Sequence, residues 1–364
     1  MTTLLEARVT RLSMAAPDDV APIEAAIAAG TIDPAAIRAV FGKTEGNGCV
    51  NDFTRAFAVR ALRDMLKGHL AADAVERVAL VMSGGTEGAL APHWLVFEAL
   101  DAATPPGDRA DKALAIGVHV TPPMAPEEIG RMAQVEAVAA GVRTAMANAG
   151  IVSPDDVHFV QVKCPLVTAE RAADAARRGT PPRTADTLKS MGLSRGASSL
   201  GIALALGEVA EGDVSEAAIG ADFGLFSRRA STSSGVELMS NEIVVLGRSA
   251  GWSGPLTIDS AVMADAVDLS GVLGLFARQG LTVGGDRRVV ALLAKAEASS
   301  TGRLRGFRHT MLDDSDIAAT RHARGFVGGV LAGVVGHAEI YVSGGAEHQG
   351  PDGGGPVAVI VRRD

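Results

Sequence analysis

At 364 residues the chain is too long for one ordinary core, so two or three domains are expected. It is 47% hydrophobic but only 4% aromatic, and rich in glycine, which describes a folded interior of small side chains and argues against disorder. A net charge of −8 argues against the basic footprint of a nucleic-acid binder. The opening MTTLLEARVTRLSM lacks a charged region followed by an apolar one, and runs such as 201–206 are too short to span a bilayer. Cys49 and Cys164 are far apart and form no CxxC pair. A cytoplasmic protein with no membrane or nucleic-acid partner is expected.

Taken in order, the chain reads as three repeats: unit A over 1–104, unit B over 112–249 and unit C over 255–364. Each opens with a strand (7–12, 113–120, 256–262), then acidic residues that suit a helix N-terminus, then a helix ending near Ala28, Ala147 or Ala277. A second strand in each unit ends in lysine, at Lys43, Lys163 and Lys295. Next an arginine, Arg55, Arg195 or Arg324, is expected to open a long apolar helix. In that first turn it opposes the helix dipole, unless the same place holds an anion or a row of carbonyl oxygens. A strand ending in Ser-[Gly/Ser]-Gly-x-Glu is read as closing each unit: MSGGTEG (82–88), TSSGVEL (232–238) and VSGGAEH (342–348). For the middle copy the strand is placed at 223–226, ahead of Arg228 and Arg229. The Lys-to-Ser spacing varies, as loop insertions such as 179–183 require, and breaker-rich linkers fall at 101–108 and 247–255.

Three α+β units of this kind can sit around a pseudo-threefold axis, with their triads Lys43/Arg55/Ser83, Lys163/Arg195/Ser233 and Lys295/Arg324/Ser343 lining one cavity. Arginine forks and serine–amide pairs grip carbonyl oxygens, so such a cavity suits a small flat ring rimmed with carbonyl and N–H groups. Crowding among cations and burial lower a lysine pKa, and a neutral amine can take the proton of a neighbouring serine. Ser–Lys pairs are an alternative to Ser–His–Asp. No HExxH, P-loop or GxSxG elbow is present, and His322 and His348, near the third triad, read as structural or as supports behind the site residues. Ser233 stands out as the reactive serine, because Ser234 follows it where the other copies carry Gly84 and Gly344.

The stretches FGKTEGNGCVNDFTR, VMSGGTEG, VQVKCP, LSRGASSLGIALALGE, STSSGVELMSNEI, AKAE and YVSGGAEHQGPDGGGP together resemble the cyanuric acid hydrolase/barbiturase family over essentially the whole chain. The resemblance implies three related domains around a β-barrel-like centre, and ring-opening hydrolysis of a cyclic amide by serine attack. Cyanuric acid would give carboxybiuret, which loses carbon dioxide to become biuret; the alternatives are barbituric acid opened to ureidomalonate, and a non-catalytic binder of small rings. Carried over, Ser233 is the nucleophile and Lys163 its base. Arg55, Arg195 and Arg324 and the pairs Ser83–Gly84, Ser233–Ser234 and Ser343–Gly344 bind the ring, with Lys43 and Lys295 as supporting dyad members. Catalysis needs no cofactor. The resemblance also implies a structural Mg²⁺ or Ca²⁺ on Glu297 and the backbone oxygens of Ala346, Gln349, Gly350, Pro351 and Gly354, and a homotetramer. Glycine-rich turns expose the oxygens a hard cation takes.

Overall fold

The computed structural model describes residues 4–102 and 112–363; the linker expected at 101–108 lies outside these from 103 onward. The first stretch holds β1 (Leu5–Ser13), α1 (Ala21–Ala28), β2 (Ile37–Thr44), α2 (Phe53–Lys67), α3 (Ala72–Val75), β3 (Ala79–Gly84) and β4 (His93–Asp101). The middle holds β5 (Ala113–Val120), α4 (Met132–Asn148), β6 (Val157–Pro165), α5 (Ala169–Arg177), α6 (Thr187–Ala205), β7 (Ala230–Gly235), β8 (Glu242–Ser249) and β9 (Trp252–Ser253). The last holds β10 (Leu256–Met263), α7 (Ser270–Arg278), β11 (Val289–Ala296), β12 (Arg303–Leu304), β13 (Phe307–Arg308), α8 (Ala319–Val335), β14 (Tyr341–Gly344) and β15 (Gly355–Arg362).

Three sheets share one plan. Their orders are β3-β2-β4-β1, extended by β9, then β7-β6-β8-β5 and β14-β11-β15-β10. In each, the serine strand lies parallel to the lysine strand, and the other two pairings are antiparallel. The serine strand therefore does not close the unit. A further strand, β4, β8 or β15, follows it and runs through the middle of the sheet. Its apolar runs, Trp94–Phe97, Ile243–Leu246 and Val357–Val361, are the pattern of a strand buried on both faces.

One face of every sheet turns to a shared interior. Phe41 of β2 lies with its ring centroid 4.6 Å from Phe97 and 5.3 Å from Tyr341 of the third sheet. Residues from all three sheets join this cluster, among them Phe159, Ile116, Ile258 and Ile360. The opposite faces are covered by helices, as where Leu62 and Leu66 of α2 meet Leu80 and Trp94. The centre is barrel-like in being enclosed by strands, but among the described residues the three sheets stay separate and form no closed barrel. Among those residues no helix is long and apolar enough to cross a membrane.

Three local expectations differ from the structure. Residues 223–226 form a turn, and the middle serine strand begins at Ala230. Arg55 is in the first turn of α2, which Asp52 caps by accepting from the Thr54 N–H at 3.1 Å. Arg195 and Arg324 sit further along, because α6 starts at Thr187, where Asp186 caps it, and α8 starts at Ala319. These two arginines therefore do not stand against a helix N-terminus, and ion pairs compensate them instead. Residues 247–249 of the second linker belong to β8 and 252–253 to β9.

Phe41 is fully buried and touches two sheets, so Phe41→Ala is expected to cost about 3–5 kcal/mol. A lower urea midpoint checks this; an unchanged midpoint would show that the sheets do not depend on their common core.

Candidate active site

Strand alternation delivers the site. In β2, Ala39, Phe41 and Lys43 share a face, and in β11 Ala291, Leu293 and Lys295 do so, because side chains repeat every second residue. The apolar residues of these faces enter the common core, and each lysine follows at the strand's end. The register is the same three times: Lys43 pairs with Ser83, Lys163 with Ser233 and Lys295 with Ser343. Each dyad thus spans one strand spacing of about 4.8 Å.

The dyads also touch one another. Lys163 Nζ donates to the Met82 carbonyl at 2.8 Å, and Lys295 Nζ to the Thr232 carbonyl at 2.8 Å. Both carbonyls immediately precede the serine of another sheet. Arg55 donates to the Ser234 carbonyl at 3.1 Å and to the Cys49 carbonyl at 2.6 Å. Arg195 forms a two-pronged pair with Glu347 at 2.7 and 2.6 Å, and Arg324 one with Glu87 at 2.9 and 2.6 Å. All of these contacts but the one from Arg55 to Cys49 cross between sheets or their loops, so the three sets converge.

They surround one narrow space lined by Arg55, Ser83, Gly84, Arg195, Ser233, Ser234, Arg324, Ser343 and Gly344, together with Gly48 and Met191. All nine residues expected to grip a ring therefore face one space. Gly48 and Met191 were not foreseen; they lie in a loop and on a helix whose approach only the packing sets. A wider outer mouth shares Gly48, Met191, Arg195, Arg324 and Gly344 with the cavity and continues to Leu188, Phe223 and Arg321. Gly85 and Gly345 have φ of 103° and 80°, and a Cβ there would stand 2.4 and 2.5 Å from the Arg324 and Arg195 side chains. Only glycine lets these turns reverse beneath a guanidinium.

The three dyads differ in detail. Lys43 Nζ donates to Ser83 Oγ at 3.5 Å and Lys295 Nζ to Ser343 Oγ at 3.2 Å. Lys163 instead pairs with Glu237 at 2.8 Å, and Ser233 Oγ is buried without a hydrogen-bond partner among the described residues. Ser233 is 8% exposed, against 3% for Ser83 and 1% for Ser343. Its hydroxyl is therefore the free one. The Ser234 hydroxyl is turned away, donating to the Pro165 carbonyl at 3.0 Å. Burial, with Arg324 and Lys295 nearby, holds the Lys43 amine well below the usual lysine range. Burial and Arg195 do the same to Lys295. Burial also lowers Lys163, with Glu237 opposing it.

The glutamate four residues after each serine was part of the repeat but had no assigned role. Its recurrence in all three copies was the signal that could have exposed it. His348 is structural, as expected: its ring accepts from the Gly220 N–H at 2.8 Å and donates to the Leu225 carbonyl at 2.6 Å. His322 pairs with Asp314 at 2.8 Å. Glu297 accepts from the Ala298 N–H at 2.9 Å and the Thr320 hydroxyl at 3.1 Å, and burial together with Glu347 raises its carboxyl pKa. Among the described residues no three His, Cys, Asp or Glu side chains cluster as a metal site. The expected set is of another kind, one buried carboxylate with the carbonyls of a glycine-rich loop, and a hard cation would offset that carboxylate's charge. The Ala346 and Pro351 carbonyls already accept from Gln349 and Gly354, each leaving a lone pair.

The profile of a family described as amidohydrolase ring-opening protein matches residues 8–362. The chain belongs to this family. Among its relatives in the family is a cyanuric acid amidohydrolase of Azorhizobium caulinodans, 62% identical over 357 residues, covering 98% of each chain. Another, from Bradyrhizobium sp. strain ORS 375, is 58% identical and covers 100% of this chain and 99% of its own. The solved cyanuric acid hydrolase of A. caulinodans superposes with a TM-score of 0.93 at 61% identity over 99% of both chains. A second solved cyanuric acid hydrolase, described as an innovation by structural concatenation, gives 0.95 at 48% identity over 99% of this chain and 100% of its own. The three sheets of one plan agree with that description.

Behind the site, Glu242 of β8 accepts from the Leu80 N–H at 2.8 Å, and burial raises its carboxyl pKa to about 7. In the unfolded chain it would titrate near 4.5. Between those values the folded state holds more protons, so stability falls as pH rises to about 7 and is flat above. Glu242→Gln keeps the acceptor and removes the charge. It is expected to raise the urea midpoint at pH 8, by on the order of 3 kcal/mol from a shift of this size. Equal midpoints at pH 8 would show that the ionised carboxylate is not penalised.

Proposed function

We propose that this family member hydrolyses cyanuric acid, opening the ring to carboxybiuret, which then loses carbon dioxide to give biuret. The observation that carries the reading is three serines and three arginines round one small cavity, with one hydroxyl free. A planar ring with three carbonyls and three N–H groups presents the same pattern of acceptors and donors every third of a turn. The relatives named for this activity cover nearly the whole chain, which supports the same substrate here.

In this mechanism the neutral Lys163 amine takes the Ser233 proton as Oγ attacks a ring carbonyl carbon. The arginine side chains and backbone N–H groups of the serine turns stabilise the developing oxyanion. The tetrahedral centre collapses, the ring C–N bond breaks, and the departing nitrogen takes the proton from Lys163. Water then attacks the acyl-enzyme with Lys163 again as base, and the proton returns to Ser233 Oγ. Lys43 and Lys295 aim Ser83 and Ser343 at the rest of the ring. Catalysis itself needs no metal in this scheme. Glu297, with carbonyls of the 346–354 tail, would hold a structural Mg²⁺ or Ca²⁺ that neutralises the buried carboxylate. A homo-oligomer fits the exposed Phe53 and Phe57 of α2 and Phe326 of α8, and the family resemblance points to a tetramer.

Ser233→Ala is expected to lower kcat at least 1,000-fold and to abolish an acyl-enzyme detectable by mass spectrometry, whereas Ser83→Ala and Ser343→Ala keep an acylated species, with rates on the order of 100-fold lower from the lost hydrogen bond. Turnover of barbituric acid but not cyanuric acid would move the substrate. Binding without carbon dioxide release would leave a ligand-binding protein. For the cation, EDTA is expected to lower the thermal midpoint of the wild type, with recovery on adding Mg²⁺ or Ca²⁺, and to leave Glu297→Gln unmoved. No response in the wild type removes the cation from the scheme.

A further inference from the structure

The carboxylates that end the three Ser-x-Gly-x-Glu stretches are used in two ways. Glu87 and Glu347 each clamp an arginine through two hydrogen bonds. The same rotation would give Glu237 to Arg55. Arg55 is held instead by the Cys49 and Ser234 carbonyls, and stands 3.8 Å from Asp52. That leaves Glu237, with its side chain 4% exposed, 2.8 Å from Lys163 Nζ. Lys43 and Lys295 bond to their own serines, while Lys163 forms an ion pair with a buried carboxylate whose oxygens have no other partner among the described residues, and Ser233 Oγ is unpartnered there. The threefold pattern is thus broken at the dyad assigned to attack.

We propose that Glu237 is a positioning residue for this reaction: it holds the Lys163 amine beside Ser233 and controls whether that amine carries a proton when Ser233 attacks. The inference rests on Ser233 and Lys163 being the reacting pair. A charged Lys163 cannot accept the serine proton, so the pair must first lose one. That proton moves from the Lys163 ammonium to a Glu237 oxygen and on to water, leaving a neutral amine and a restored carboxylate. Glu237 also lines a groove on the outer side of α2, with Ala56, Arg60, Arg63 and Lys67. Both carboxylate oxygens are buried, so the groove marks the side from which a water would have to reach the pair. The other charged and titratable groups facing it are Arg55 and Arg63 from α2, Arg171 from α5, Glu242 from β8 and Cys164 next to Lys163 on β6. Arg55 and Arg171 disfavour the lysine charge or support the carboxylate, so Glu237, 2.8 Å away, is the group that most favours the charged form of Lys163, with Cys164 adding less.

The test is the pH dependence of kcat/KM for cyanuric acid with wild type, Glu237→Gln and Glu237→Asp, beside Glu87→Gln and Glu347→Gln. Losing the carboxylate should move the acid limb of Glu237→Gln down by roughly one to three pH units, the effect of one adjacent opposite charge. The plateau kcat should fall as the amine loses its aim, and Glu237→Asp should bring the limb most of the way back. The arginine-clamp variants should raise KM and leave the limb in place. Ionisation of the substrate is common to all five proteins and cancels in the comparison. A limb of Glu237→Gln that coincides with wild type, with only KM or the thermal midpoint changed, makes Glu237 structural. If Ser233→Ala is inactive and the limb does not move, this proposal alone falls; if Ser233→Ala turns over, both fall.

Discussion

Three lysine amines buried at one place set the terms for the rest of this molecule. An ammonium removed from water needs acceptors, and like charges packed together resist being charged at all. The protein meets the first demand with backbone carbonyls borrowed across sheets, Met82 for Lys163 and Thr232 for Lys295. It yields to the second: the amines are pulled down from the usual lysine range. The burial that makes these amines costly is therefore also what disfavours their charged form. For Lys163 and Lys295 part of the acceptor set comes from a neighbouring sheet, which ties these two amines to the assembly of the sheets.

The glycine-rich turns and the arginines depend on that arrangement. Gly85 and Gly345 place backbone under Arg324 and Arg195, and the carboxylates two residues later receive those arginines. These two guanidinium groups are thereby held in fixed forks at the cavity wall, with little side-chain freedom left to them. The C-terminal tail extends the same logic to the middle sheet. Gln349 accepts from the Thr232 N–H at 2.6 Å, and His348 bridges Gly220 and Leu225. The strand bearing Ser233 is pinned from outside its own sheet, which helps fix a serine whose hydroxyl has no partner among the described residues.

Near-symmetry sets three like groups of Lys, Arg and Ser round one small space, and its departures make one position differ. Ser234 replaces a glycine, Arg55 leaves its expected carboxylate for two carbonyls, and Glu237 takes the lysine. These changes are local and leave the register of the sheets untouched. A repeat fold can vary one binding position in this way without disturbing the core beneath it.

The repeats, the Lys, Arg and Ser positions and the family were legible in the chain because each rests on local pattern. Strand alternation carries a lysine to the end of an apolar face, and a serine before glycine marks a turn. The central strands β4, β8 and β15 were also written there, in runs such as Trp94–Phe97, but were overlooked because the serine turn looked like an end. The starts of α6 and α8 were misplaced because Arg195 and Arg324 are compensated by partners distant in sequence, Glu347 and Glu87, rather than by a helix end. Which carboxylate meets an arginine and which meets a lysine could be decided only by the tertiary structure. Glu87, Glu237 and Glu347 occupy the same place in their repeats, and the choice among partners a few ångströms apart belongs to the packing between sheets.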